Sequence, residues 1–211
     1  LRGGLIKMGF THYWYKEAEL DKKSFKRFSK DVNKVIKALE LIVPLADYDG
    51  SGKPEVTTER ISFNGVADCG HKRRDLGITW ASDNSGGISL VTKEDEKTGL
   101  ESDVEGSWFA GATLNQRTCD GDCSHESFTF ERVVKGKTPD KDNKVFDCCK
   151  TAYKPYDLVV MTCLLLAKKH FDDAIVIKSD GTLKQWQDAF YLIKKLFKYN
   201  LDNARQDLGG E

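Results

Sequence analysis

The chain has 211 residues, enough for one domain with a substantial core of its own. Its 33 Lys and Arg residues balance 33 Asp and Glu, so the summed charge supplies no basic field, and nucleic acid and membrane are both read as non-partners. The longest apolar run, Leu158 to Ala167, is about half of the roughly 20 residues needed to cross a bilayer and reads instead as a buried helix.

In chain order, "LRGG" at residues 1–4 precedes the candidate start Met8. It resembles the tail of ubiquitin, so residues 1–7 are read as a tag, fusion or processing remnant, or the trace of a ubiquitin-like fusion. No secretory leader opens the sequence and the six cysteines are sparse, which sets the expectation of a reduced, soluble, cytoplasmic protein. "MGFTHYWY" (8–15) alternates Phe10, His12 and Trp14 against Thr11, Tyr13 and Tyr15, a strand pattern whose aromatic face is ordinarily core.

From Asp21 the apolar positions Phe25, Phe28, Val32, Val35, Ile36, Leu39 and Ile42 recur at threes and fours, predicting a helix to residue 43 that Pro44 closes. Asp21 is its cap, and Leu20 with Phe25 its hydrophobic staple. Short β-type runs follow, "RISFNGV", "LGITW", "GISLV" and "GSWFAGATL", separated by turn-forming clusters. "SFTFERVV" (127–134) and "KVFDCC" (144–149) read as a hairpin with a long charged tip.

A helix is expected from Pro155 to about His170, with proline at its first position and Asp157 complementing the dipole. "DAIVIKSDG" supplies a strand and turn. A last helix begins with a Thr182/Gln185 capping box and carries Leu183, Trp186, Phe190, Ile193 and Phe197 as its stripe. The order predicts a single α+β domain over 8–200, a mostly antiparallel sheet with three helices, the one at about 155–170 buried, and a tail at 201–211.

Several constellations bear on chemistry. "DYDGSG" places Asp47, Asp49, Ser51 and Gly52 as in a calcium loop, but Thr58 stands where a bidentate glutamate belongs, so a solvated turn is the reading. Cys69, His71, Cys119 and Cys123 could together hold zinc, against the alternatives of a disulfide or free thiols. His125 is a candidate general base with Glu126 or Asp180 as orienting carboxylate, against the plainer reading of a hydrogen-bonded histidine. Lys150, Thr151, Lys154 and Tyr156 lie where a strand feeds a helix, whose unpaired N–H groups could receive an anion. Cys148 or Cys149 beside that end could be an activated thiol.

"HYWY" (12–15), "ISFNG" (61–65), "SHESF" (124–128), "KTAYKPYD" (150–157) and "SDG" (179–181) together resemble a family of uncharacterised small proteins of bacteria, phages and fungi. The resemblance spans Met8 to about Tyr199, implies one intact domain, and implies no catalytic residue or cofactor. The cysteines stand outside its shared pattern. The leading functional expectation is a domain binding a small anionic or nucleotide-like ligand near Lys150, Thr151 and Lys154. The alternatives are a hydrolase or transferase using His125, and an interaction protein carried by a ubiquitin-like module.

Overall fold

The computed structural model describes residues 10–40, 43–69, 117 and 121–209, with the strands at 78–80, 88–90, 107–109 and 112–114. The fold is α+β, and among the described residues every ladder is antiparallel. β1 (Thr11–Glu17) is the middle strand of a three-stranded sheet, flanked by β10 (Lys144–Lys150) and β11 (Ile175–Ser179). A second sheet is built on β4 (Arg60–Gly65), which pairs with the two-residue strands β2 (Leu45–Ala46) and β3 (Glu55–Val56) and with β9 (Phe128–Glu131). Two further antiparallel pairs lie among the described residues, β5 (Ile78–Trp80) with β6 (Ile88–Leu90) and β7 (Ser107–Phe109) with β8 (Ala112–Leu114).

The expected hairpin of "SFTFERVV" with "KVFDCC" does not form, because β9 pairs with β4 and β10 with β1. Alternation marks both segments as strands with one buried face but does not name the partner. The connection crosses between the sheets and is anchored where Leu20 N–H donates to the Arg132 carbonyl at 2.9 Å.

Helix α1 (Lys22–Leu39) is capped by Asp21, whose carboxylate accepts from Ser24 N–H at 2.7 Å, and ends short of the predicted residue 43. Helix α2 (Asp157–Phe171) starts two residues after Pro155, which sits in the preceding turn instead of at the first helical position. Every residue of α2 from Leu158 to Ala167 is fully buried, so it needs no polar face and shows none. Helix α3 (Leu183–Phe197) carries the predicted capping box, with Thr182 N–H donating to Gln185 at 2.8 Å. A fourth helix, α4 (Asp202–Asp207), occupies what reads as a tail, held by Ala204 in the core and by Asp207, which accepts from Ile177 N–H.

One apolar cluster joins these layers. Trp14 of β1 meets Phe128 and Phe130 of β9 at ring separations of 5.4 and 6.1 Å, and Phe25 and Phe28 of α1 meet Phe171 of α2. Among the described residues, no helix is long and apolar enough to cross a membrane.

Candidate functional site

The alternation of β1 turns His12, Trp14 and Lys16 inward. For Trp14 that means core, but a fully buried imidazole needs hydrogen-bond partners on both nitrogens. Register supplies the first, since His12 lies opposite Ser179 of β11, and its Nδ1 is 2.9 Å from the Ser179 hydroxyl. The second comes from α2, whose first residue, Asp157, places Oδ1 2.7 Å from His12 Nε2. A carboxylate only accepts, so Nε2 carries a hydrogen towards Asp157, and Nδ1, where it carries none, accepts from Ser179. The rings of Phe10 and Trp186 stand edge-on to the imidazole, each at 5.1 Å, and fix its plane.

Asp157 is fully buried and serves more than His12. Its Oδ1 also accepts the Thr151 hydroxyl at 2.6 Å, and Oδ2 accepts from Nε of the buried Arg117 at 3.0 Å. Burial alone would raise the Asp157 carboxyl, but His12, Arg117 and these hydrogen bonds outweigh it and hold the group below its ordinary value. Arg117 reaches on to Asp188 of α3 at 3.4 Å, and its guanidinium lies 4.5 Å from the centre of the Tyr153 ring. Tyr153 is brought there by a turn in which Ala152 and Tyr153 both take positive φ, 50° and 58°. Two consecutive non-glycine residues in that region cost on the order of 1–3 kcal/mol each. The turn is braced by Thr151 and Ala152 N–H groups donating to the Phe10 carbonyl.

Beside this buried network lies a half-exposed rim. Ser179 is only partly covered, and its oxygen accepts from Gly181 N–H at 2.8 Å. Asp180 accepts from Thr11 N–H and from the Tyr13 hydroxyl, both at 3.1 Å. On the other side of β1, the segment before β9 is held by the buried Asn64, which donates to the His125 carbonyl at 2.9 Å and accepts from His125 N–H at 3.1 Å. That segment comes so close to Gly65 that a Cβ there would run into the Cys123 carbonyl. Glu126 then accepts from Lys150 N–H at 2.7 Å, and the Tyr156 hydroxyl donates to the Glu126 carbonyl at 2.6 Å. Residues 12–15, 61–65, 124–128, 150–157 and 179–181 are therefore linked in space through β1 and the β10–α2 turn.

The residues singled out in sequence fall differently from expectation. His125 is exposed, and its Nδ1 faces the Lys150 carbonyl at 2.7 Å; among the described residues no carboxylate pairs with it. Glu126 is committed to Lys150 N–H, and Asp180 to Thr11 and Tyr13, so the expected His125 acid–base group is not assembled. The anion cradle is not assembled either. Thr151 gives its hydroxyl to Asp157, Lys154 donates to the Asp122 carbonyl at 2.7 Å, Tyr156 is buried, and only the half-buried Lys150 remains. The start of α2 already holds the Asp157 carboxylate, which would repel a second anion. Burial pushes both the Cys148 and Cys149 thiols up, the opposite of an activated thiol.

Of the four metal candidates, Cys69 and Cys123 are neighbours, with sulfurs 3.3 Å apart, while His71 and Cys119 lie outside the described residues. Among those described, no three His, Cys, Asp or Glu side chains gather as metal ligands. Asp47 and Asp49 turn their carboxylates onto the loop's own Ser51, and β3 and β4 follow where a calcium motif would need a helix.

His12 is the functional candidate that sequence reasoning assigned to the core. Its signal was present: a histidine between Phe10 and Trp14 on an inward face must be paired. The molecule is an α+β domain with a buried His–Asp–Arg network opening on a serine. Compared with family models, with curated proteins and with solved structures, the chain gives no match.

Proposed function

We propose that the protein is a hydrolase or acyl transferase with Ser179 as nucleophile and His12 as general base. The observation that carries this is the continuous chain from the Ser179 hydroxyl to His12 Nδ1 at 2.9 Å and from His12 Nε2 to Asp157 at 2.7 Å. Nucleophile, base and orienting carboxylate in sequential hydrogen-bond contact are the arrangement that lets a neutral hydroxyl attack a carbonyl. The ring nitrogens are used in the reverse sense to the serine proteases, which the imidazole tolerates because either nitrogen can accept the proton.

Ser179 Oγ would attack the carbonyl carbon of an ester or amide as its proton passes to His12 Nδ1. The same proton then goes to the leaving group, and water or an acceptor alcohol repeats the sequence to release the acyl group. Asp157 is a positioning residue that holds the Nε2–H tautomer and stabilises the imidazolium. Gly181 N–H, already on Ser179 Oγ, favours negative charge there.

Incubation with a fluorophosphonate probe followed by peptide mapping tests the assignment. The adduct should appear on Ser179, disappear in Ser179→Ala, and form much more slowly in His12→Gln with thermal melting to verify folding. A folded wild-type protein that takes no label at Ser179, or labels equally fast without His12, would overturn it.

A further inference from the structure

Net charge is a sum, while the field at a surface depends on where the charges stand. Every exposed charged side chain of α1, from Lys22 to Lys37, is a lysine or arginine. Its one acidic residue, Asp31, is turned inward onto His170 at 2.8 Å and the Tyr199 hydroxyl at 2.9 Å. A chain whose formal charges cancel therefore presents a cationic helix face about 27 Å long, from 1.5 Å of rise per residue.

That face lines a cavity, and a second cationic cavity lies on α3 and α4. The first, about 680 Å³, runs between α1 and residues 56–58, with Lys26, Lys30, Lys34 and Lys37 along one wall and, among the described residues, no acid in its lining. Lysines at i and i+4 are about 6 Å apart along the axis, so the row spans roughly 16 Å. Lys34 continues it onto α3, donating to the Leu196 carbonyl at 2.8 Å with its ammonium 4.8 Å from the Phe197 ring centre. The second cavity, about 910 Å³, opens between α3 and α4, lined by Lys194, Lys195, Lys198 and Arg205 with the half-buried rings of Tyr191 and Tyr199, and among the described residues Asp202 is the only acid in its lining.

We infer that this α1–α3 face binds single-stranded nucleic acid, the lysine row following the phosphates and the aromatic cavity taking an unpaired base. Cations interleaved with rings in a groove are what an unpaired strand needs, charge for the backbone and a stacking surface for the bases. An anionic bilayer fits less well. Membrane-surface helices insert an apolar face, whereas that of α1 is spent on the core. The exposed large hydrophobics among the described residues, Tyr48 and Phe146, lie on neither helix. The balanced composition excludes a global basic field but not this local one.

Fluorescence anisotropy with a labelled oligonucleotide of mixed sequence tests the inference on the full chain. Affinity should fall linearly with salt on logarithmic axes, and Lys26→Glu with Lys30→Glu should weaken binding at least about ten-fold and flatten the slope by about 1.4, at roughly 0.7 per lost single-strand contact. Lys135→Glu with Lys141→Glu, the same charge change on an exposed loop, should leave both unchanged. Lys26→Gln with Lys30→Gln gives the same reading without new repulsion, should the first variant fail to fold. No binding at ~100 µM protein, the weak end of non-specific association, would overturn the inference. So would equal loss in the loop variant, equal affinity for the matched duplex, or binding confined to phosphatidylserine vesicles.

Discussion

Replacing Asp157 with asparagine keeps the shape of the side chain and removes its charge from the centre of the buried network. The carboxylate accepts from His12, Thr151 and Arg117 at 2.7, 2.6 and 3.0 Å. An amide can accept at only one of its two ends, so its NH₂ must oppose either Arg117 or the His12 and Thr151 donors. Arg117 is then a fully buried cation with the Asp188 carboxylate 3.4 Å away. Breaking a buried pair from one side costs about 3–5 kcal/mol, which for a domain of this size lowers Tm by on the order of 10 °C.

Urea titration of wild type, Asp157→Asn, Arg117→Met and the double variant closes the cycle, with an expected coupling of at least about 2 kcal/mol. The pH dependence has a definite sign. The folded state holds the Asp157 carboxyl below its ordinary value of 3.8, so its contribution is complete above that value and is lost as pH falls through the folded one. The gap between wild type and Asp157→Asn should therefore be flat from pH 7 to about 4 and close below. A cost under about 1 kcal/mol, or strict additivity in the cycle, would refute the account of the network as a mutually dependent charge cluster.

Two further outcomes are expected. Lys16 is inward-facing on β1, and burial lowers it from 10.5 to about 8 against the pull of Asp147 and Glu131; between those values the unfolded chain holds a proton the folded one has released, so stability rises with pH. Lys16→Met should gain on the order of 2 kcal/mol at pH 7 and lose that advantage towards pH 10 in parallel denaturation curves. Cys69 and Cys123, with sulfurs 3.3 Å apart, should join first under diamide, read as a Cys69–Cys123 cross-linked peptide with Cys163 unmodified; a different first pair would contradict the placement.

Helices α1, α2 and α3 are legible because each carries a local signal, the Asp21 cap, the unbroken apolar run and the Thr182 and Gln185 box, whereas the short α4 carries none and reads as a tail. The pairing of β9 is not legible, because two strands of the right alternation imply a hairpin only if no third strand competes, and β4 lies far back in the chain. The same separation hid the site. His12 and Asp157 are brought together by tertiary packing across most of the sequence; Asp157 read as a dipole complement and His12 as one member of an aromatic face. The lysines of α1 were visible one by one, but their meaning depended on Asp31 turning inward, which only the packing of α1 against His170 and Tyr199 decides.

The strand order β10-β1-β11 also has a consequence in time. β1 leaves the ribosome before either of its neighbours, which both come from beyond residue 143. At about 5–20 residues per second the nascent chain waits on the order of 10 s with both edges of β1 unpaired and Trp14 uncovered. An open edge of that kind invites pairing with other chains. Translation rate, and any chaperone that shields β1, should therefore govern the yield of folded protein more strongly than changes within the late helices do.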